Sequence, residues 1–195
     1  MPTSRLLTSD DWPEAELRAA VLAGELVPVG WCWASPAEPQ VPALRAAAHA
    51  WRLPDPRLVA SGRSAAWIWG ASARPPTPVE VSVPPTVRVR VDADVRLREV
   101  RLPDADSVLL GGVRVTTPLR TAVDLLRAPG AFDGSALDAL RGLLAIGAVD
   151  LDDVRRHLDA LGTIPMARQA ARRLDRAITG PSAGVLVQRA EPPSG

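Results

Sequence analysis

The chain has 195 residues, 47% of them hydrophobic, and a formal net charge of +1 at pH 7, and it is long enough to bury a core without metal ions or disulfides. No apolar stretch approaches the ~18 residues of a membrane-spanning helix, and the N-terminus lacks the long apolar segment of a signal peptide, so we expect a cytoplasmic protein with no membrane association. All 23 basic residues are arginine, which excludes P-loop phosphate binding, Schiff-base catalysis and nuclease centres that need a lysine.

The front of the chain predicts a short helix followed by a hairpin. Over residues 13–24 a proline suits the first helical turn, apolar residues follow at helical spacing, and a glycine is placed to end the helix. Residues 26–33 are β-prone but interrupted by a proline and a glycine, which indicates two short strands or a wing-like hairpin. We therefore treat residues 1–36 as one unit, a short helix with a wing-like hairpin.

Two further helices are predicted over residues 41–52 and 61–69, the second with Ser61 as its N-cap. All six tryptophans fall in the first 70 residues, and core filling explains most of them. Trp67 and Trp69 lie two positions apart on the second helix and cannot share one face. At least one of them is therefore expected to be exposed, or covered by the sheet or by a partner.

The middle of the chain changes to a period of two. Residues 79–83, 87–91 and 95–99 alternate valine or leucine with polar or charged residues, which predicts antiparallel strands with one buried face. A glycine pair at 111–112 suits a two-residue turn, because both central positions can need positive φ. Residues 106–116 are thus predicted to form another hairpin.

The last third predicts four helices. Thr117 is placed as an N-cap and Pro118 in the first turn. Apolar stripes at helical spacing then begin at Leu119, Leu137, Leu151 and Ala167. The pattern indicates an α+β fold with a central antiparallel sheet and a C-terminal helical bundle over residues 37–179, and a disordered tail over 180–195.

Candidate reactive residues have structural explanations. His49 sits among alanines next to a tryptophan, which favours a core position, and His157 follows Asp153 by four residues, which favours a surface helix pair. Neither histidine has the spacing of a metal ligand, and Cys32, between two tryptophans, is more typical of the core than of a reactive thiol. No serine lies in a nucleophile motif. We expect no metal ion and no cofactor.

Acidic residues occur in four pairs. Two carboxylates can hold a divalent ion or share acid–base work, but these pairs fall at strand ends or helix starts, where turns and N-caps favour aspartate. The pairs are Asp10 with Asp11, Asp92 with Asp94, Asp104 with Asp106, and Asp152 with Asp153. Pro103-Asp104 begins a nuclease-like motif that no lysine completes. The sequence therefore predicts a protein that is not an enzyme.

Arginines offer three candidate nucleic-acid contacts. The first helix carries Arg18 beside two glutamates, a poor charge for a recognition helix. The last helix carries the row Arg168, Arg172 and Arg176, with Arg173 beside it. Like charges four apart repel by roughly 0.2–0.5 kcal/mol per pair, so an anionic partner would relieve a small cost. The alternative is a solvent-exposed helix face on which Asp175 offsets part of the repulsion between the arginines.

The third candidate is a strand face on which alternation would project Arg88, Arg90, Arg96 and Arg98 to one side. Such a face is either a platform for phosphates or a solvated surface of the sheet.

Several segments resemble, in order, the AbiEi-type antitoxins of actinobacteria. Residues 16–34 resemble the end of the family's winged-helix domain, and 61–70 are similar to its S-x-x-S-A-A-x-x-x-G segment. Residues 79–84 look like its paired-strand motif, and Val113-Arg114-Val115-Thr116-Thr117-Pro118-Leu119-Arg120-Thr121-Ala122-Val123-Asp124-Leu125 is the most specific match. The resemblance covers roughly residues 14–178.

The resemblance implies an N-terminal winged helix that represses its own operon and a C-terminal α+β domain with antitoxin activity. The expected partners are operator DNA and a cognate nucleotidyltransferase-like toxin. The front is shorter than in such relatives and poor in basic residues, so residues 1–36 are interpreted as a winged-helix-like remnant. The Vsr-like nuclease domain that many relatives carry is not expected here. The sequence thus predicts a transcriptional regulator that binds DNA through arginines, with a protein-interaction module that has lost DNA binding as the alternative.

Overall fold

A short helix and a hairpin form the front of the protein, as the sequence predicts. Helix α1 spans Glu14–Leu22, and strands β1 (Val27–Val29) and β2 (Cys32–Ala34) pair antiparallel. Gly30 occupies the tight turn with a φ of 64°, a conformation that glycine adopts without steric cost. The structure, a computed structural model, describes residues 6–162 and 165–179. The tail predicted over 180–195 lies outside these residues.

The main sheet has five strands in the order β5-β4-β3-β7-β6. They span Val59–Ala60 (β3), Val79–Val83 (β4), Val95–Glu99 (β5), Ser107–Leu110 (β6) and Val113–Thr116 (β7). The central strand, β3, has only two residues and was missed in the sequence, because so short a segment has no periodicity. The hairpin of β6 and β7 is confirmed, and both glycines of its turn have positive φ.

The sheet is mixed, so the prediction of an antiparallel sheet was wrong in detail. Strand β4 runs parallel to β5, and β3 runs parallel to β7. Residues 87–91 form no strand. The link 84–94 instead returns along the sheet, so that β5 starts beside the start of β4, with Val79 opposite Val95. The alternating valines of the link pack on the buried cluster of β4 and β5, which satisfies the same hydrophobic pattern without strand pairing.

The remaining helices follow the predicted order. They are α2 (Pro42–Arg52), α3 (Gly62–Trp69), α4 (Pro118–Arg127), α5 (Gly134–Ala145), α6 (Leu151–Ala160) and α7 (Pro165–Thr179). Thr117 caps α4 by accepting the Arg120 N–H at 3.3 Å. The α+β class and the C-terminal helices are confirmed. Within the described residues, none of the helices has the length and apolar content needed to cross a membrane.

The buried core contains two large clusters of apolar residues. One joins α3 to α4–α7. The other joins the front hairpin to α2, α3 and β7, and contains Val29, Cys32, Leu44 and Val115. The hairpin therefore shares a core with the elements that follow it.

Helix α3 places its two tryptophans on different sides, as expected. Trp67 is 1% exposed. Trp69 is half-buried between the two clusters, and its indole N–H donates to the Thr116 carbonyl of β7 at 2.8 Å. The sheet thus covers the second indole.

Candidate nucleic-acid interface

Arg18 stands exposed on α1. Its guanidinium donates to Glu14 one helical turn earlier at 2.6 Å, and both side chains are more than half exposed. Leu17 is the residue of α1 that the core buries. An exposed pair of this kind contributes little to stability, so Arg18 can exchange Glu14 for another anion at small cost.

Helix α7 presents three arginines on one face. Arg168, Arg172 and Arg176 are exposed, and at a spacing of four residues they follow the helix surface. The opposite face, which includes Leu174 and Ala177, is buried in the core shared with α4, α5 and α6. The structure therefore brings these three predicted site residues together on an outer surface.

Arg173, the fourth arginine of this segment, points inward and is 6% exposed. Its guanidinium donates to the carbonyls of Leu126 at 2.8 Å and Ala128 at 2.7 Å, and also to that of Gly130. It lies 5.5 Å from the centre of the Phe132 ring. All of these groups belong to the end of α4 and the segment after it, so Arg173 anchors α7 and is unavailable to a ligand on the outer surface.

The third candidate surface differs from its prediction, because its four arginines do not all lie on strands. Arg96 and Arg98 lie on the edge strand β5, whereas Arg88 and Arg90 lie in the link that is not a strand. Arg96 pairs with Glu80 at 3.2 Å, and Arg88 pairs with Glu99 at 3.3 Å. Two of the four positive charges are thus neutralised locally.

The paired aspartates bind arginines or cap turns. Asp94 binds Arg52 at 2.6 Å, with Asp92 at 3.7 Å from the same guanidinium. Asp106 binds Arg120 at 2.6 Å. The remaining contacts join Asp10 to the Trp51 indole, Asp11 to Thr8, Asp104 to Arg114, Asp152 to Arg155 and Asp153 to Arg156. Asp153 thus pairs with Arg156, where the sequence suggested His157.

Burial keeps the Cys32 thiol and the His49 imidazole in their neutral forms near pH 7. Burial raises the pKa of the Cys32 thiol to about 11, with Asp11 adding to the effect, and burial lowers the pKa of His49 to about 4. His49 is 1% exposed and packs edge-on to Trp31. Over residues 6–162 and 165–179, no three histidine, cysteine or acidic side chains are placed to share a metal ion.

Comparison with known proteins decides the family. Residues 58–175, more than half of the chain, match the family described as the AbiEi antitoxin C-terminal domain. The chain belongs to the AbiEi antitoxin family. A solved structure that resembles it is the crystal structure of the RV2827C protein from Mycobacterium tuberculosis, with a TM-score of 0.46 and 21% identity over 88% of this chain and 72% of that one. No curated protein matches.

The bounds of the AbiEi domain separate the candidate arginines. The match takes in most of α7 with Arg168 and Arg172, and Arg176 follows its last residue by one position. Arg18 lies outside it, on α1. The structure thus assigns the predicted arginines to two different elements, and only the row on α7 is packed onto the AbiEi domain.

Within the AbiEi domain, the S-x-x-S-A-A segment is a clamp between α3 and β4. Ser61 and Ser82 share a hydrogen bond between hydroxyls at 2.8 Å, and Ser64 accepts the Glu80 N–H at 2.7 Å. Arg63 binds the Glu80 carboxylate at 2.8 Å. These contacts were not predicted from the sequence. The signal available for them was the polar residues of the motif together with Glu80 and Ser82 on one face of the alternating strand.

The most specific motif of the resemblance is a second clamp, between β7 and α4. The hydroxyls of Thr116 and Thr121 are 2.7 Å apart, and Thr121 also bonds to the Thr117 carbonyl at 2.8 Å. Arg120 joins Asp124 in its own helix to Asp106 in the short 3-10 turn before β6. Both motifs therefore stabilise the fold, and neither forms a reactive centre.

Proposed function

We propose that this AbiEi-family protein is a non-catalytic, antitoxin-like transcriptional regulator of the cytoplasm that binds the DNA of its own operator. The observation that carries the proposal is the exposed row of Arg168, Arg172 and Arg176 on the outer face of α7. Arg18 on α1 is a second, weaker contact. In keeping with this function, we take residues 1–36 as a remnant of a winged helix and 37–179 as the AbiEi-like unit.

The spacing of the row suits a polyanion. Three guanidinium groups at steps of four residues span roughly 12 Å along the helix, and duplex DNA carries one negative charge per ~1.7 Å of its axis. An anionic backbone also removes the mutual repulsion of the three cations. Arg173 fixes α7 to the end of α4, so the three exposed arginines project from a rigid helix. This rigidity lowers the entropy lost on binding.

A mobility-shift assay on the DNA upstream of the gene tests this function. The variant with Arg168, Arg172 and Arg176 all changed to Gln is expected to lose the shift that the wild type gives at low salt. The matched control changes Arg155 and Arg156 to Gln, two exposed arginines of α6 that already pair with aspartates. Equal shifts from wild type and both variants would refute the role of α7, and no shift with any protein would refute DNA binding.

A second function, neutralisation of a protein toxin through the C-terminal helices, is favoured by an apolar cleft there. Leu144 and Val149 line it with Ile178, and its volume is about 430 Å³. Ile178 is 39% exposed, and Ile146, which lies between Leu144 and Val149 in the sequence, is 50% exposed. Apolar residues exposed around a cleft mark surfaces that bind other proteins.

Co-purification with the product of an adjacent gene, in particular a nucleotidyltransferase-like toxin, tests this second function. The Ile178→Asp variant should lose the partner if the cleft binds it. Asp175→Asn, one turn earlier and exposed, is the control on the same helix. Retention of the partner by Ile178→Asp would place the contact elsewhere.

A further inference from the structure

A cleft lined by three tryptophans lies between α1, the front hairpin and the end of α2. Trp31, Trp33 and Trp51 line it together with Glu14 and Arg18. Its volume is about 650 Å³, within the range of sites that bind small molecules or side chains. The cleft lies outside residues 58–175, and neither proposed function uses its indoles.

The three tryptophans are held in place by contacts of their rings or of their main chain. Trp51 donates its indole N–H to Asp10 at 3.0 Å. The Trp31 ring packs edge-on to the buried Trp67, with ring centres 5.9 Å apart. The main chain of Trp33 exchanges two hydrogen bonds with Leu7, at 2.7 and 2.8 Å. Each of the three tryptophans is half-buried, and each lines the cleft.

Within residues 6–162 and 165–179, no cationic side chain lies over the ring faces of these three tryptophans. Across the described residues, the guanidinium groups that lie over aromatic rings are those of Arg45, over Trp67, and Arg173, over Phe132. Arg18, the arginine of the cleft, is instead drawn to Glu14 at 2.6 Å. In the part of the chain that the structure describes, the electron-rich faces of Trp31, Trp33 and Trp51 therefore carry no guanidinium group.

Among the described residues at the cleft, the acidic side chains Asp10 and Glu14 stand against one basic side chain, Arg18. Residues 1–57 carry a net charge of −2. Glu14 lines the cleft and neutralises Arg18, while Asp10 contacts one of its indoles. This field repels phosphate and attracts cations. Indole faces bind ammonium and guanidinium groups through the ring quadrupole, and more strongly when a carboxylate is close.

We propose that the tryptophan cleft binds an arginine or lysine side chain presented by a basic, partly apolar segment of a protein partner. The cation lies against the indoles with Glu14 as its counter-charge. Apolar neighbours in the partner's segment contact Leu22, which lines the cleft and is 91% exposed. A basic protein segment fits this surface better than nucleic acid, because the carboxylates at the cleft, Asp10 and Glu14, outnumber its arginine, Arg18.

The first test follows the indole N–H signals of the full chain by NMR during titration with three small probes. N-acetylarginine methylamide should shift the signals of Trp31, Trp33 and Trp51 and leave that of Trp67 unchanged. N-acetylcitrulline methylamide, its neutral isostere, should shift them at least threefold less. Equal shifts from both, shifts from adenosine monophosphate alone, or no shift would overturn the proposal. So would shifts that depend on protein concentration without probe, which would mean a second copy occupies the cleft.

Two surface variants are expected to change the affinity for the arginine probe in opposite directions. Arg18→Gln frees Glu14 and should raise the affinity for the arginine probe about threefold, while Glu14→Gln should lower it by a similar factor. Glu16→Gln, on the same helix but outside the cleft lining, is the matched control for the charge change. A loss of affinity in Arg18→Gln would contradict the proposal.

The Arg18→Gln variant tests the cation site and operator binding independently of each other. If Arg18 contacts DNA, Arg18→Gln weakens the operator shift while it strengthens binding of the arginine probe. Unchanged operator binding with a strengthened probe affinity would remove Arg18 from the DNA contact and keep the cleft. Trp33→Leu should abolish the probe's effect, and the remaining indole signals report whether that variant is folded.

Discussion

Arg63 and Glu80 are joined through both the main chain and the side chain of the arginine. The Arg63 N–H donates to one carboxylate oxygen at 2.7 Å, and its guanidinium donates to the other at 2.9 Å. The two side chains are only 18% and 12% exposed. Glu80 thereby holds the first turn of α3 against β4, which positions the centre of the AbiEi domain.

Loss of this carboxylate should destabilise the fold. Glu80→Gln keeps the size of the side chain but removes the charge that Arg63 and Arg96 share, and we expect a loss of about 2 kcal/mol in the free energy of unfolding. Urea denaturation measures it. Glu99→Gln, which breaks the exposed pair with Arg88, should change stability by less than about 0.5 kcal/mol. Equal effects of the two variants would contradict the role of the clamp.

Gly62 makes the same clamp possible. Its φ is 53°, and a Cβ on it would overlap the Glu80 carboxylate. Gly62→Ala should therefore cost about 3 kcal/mol from strain and displacement of Glu80 together. Gly112→Ala, with a φ of 84° and open space around the Cβ, should cost about 1 kcal/mol from strain alone. Thermal unfolding of both variants separates the cost of the steric clash from the cost of backbone strain. An equal loss of stability in the two variants would show that the Glu80 side chain moves aside freely.

Arg173 and Arg172 should behave in opposite ways although they are neighbours. Arg173→Gln leaves the carbonyls of Leu126, Ala128 and Gly130 without their donor, so we expect a loss of about 3 kcal/mol in stability. Arg172→Gln removes an exposed charge and should change stability little while weakening DNA binding. Calorimetry of both variants measures the contrast, and a stable Arg173→Gln would mean that α7 is anchored otherwise.

Much of this architecture was accessible from the sequence, because helix stripes, caps and the glycine-pair hairpin each have a local signal. The parallel pairing of β4 and β5 was not, since Val87, Val89 and Val91 alternate as a strand does but lie in a coil, partly buried against the cluster of β4 and β5. Strand β3 is too short to show a period. Its place at the centre of the sheet is set by contacts with both neighbours.

The sites were predictable only in part. The row on α7 has a helical spacing that the sequence displays, and its exposure follows from the apolar residues on the opposite face. The inward direction of Arg173 depends on carbonyls left open after α4, which no local pattern shows. The tryptophan cleft arises because Trp31 and Trp33 of the hairpin line the same space as Trp51 of α2, which lies 18 to 20 positions further along the chain.

His49 should make the protein less stable in mild acid. Because its pKa in the folded protein is about 4, against 6.5 in the unfolded chain, the unfolded state binds more protons between these values. The stability due to the neutral imidazole is therefore complete above pH 6.5 and is lost as pH falls toward 4, by roughly 3 kcal/mol in all. Asp55, which lines a small cavity with His49, is held by Arg57 and offers the imidazolium little compensation.

The check is urea denaturation from pH 7 to pH 4.5. His49→Leu, which removes two ring nitrogens that lack partners within the described residues, should lose less stability over this range than the wild type. Parallel pH profiles for the two proteins would show that His49 does not titrate in the unfolding reaction.

The salt dependence of binding to the operator tests the central claim most directly. Fluorescence anisotropy of labelled upstream DNA gives the binding constant at each salt concentration, and each phosphate contact adds about 0.9 to the slope of its logarithm against log salt. The account predicts that changing Arg168, Arg172 and Arg176 to Gln lowers the slope by about 3, whereas the α6 control leaves it unchanged. An unaltered slope in the triple variant would contradict it.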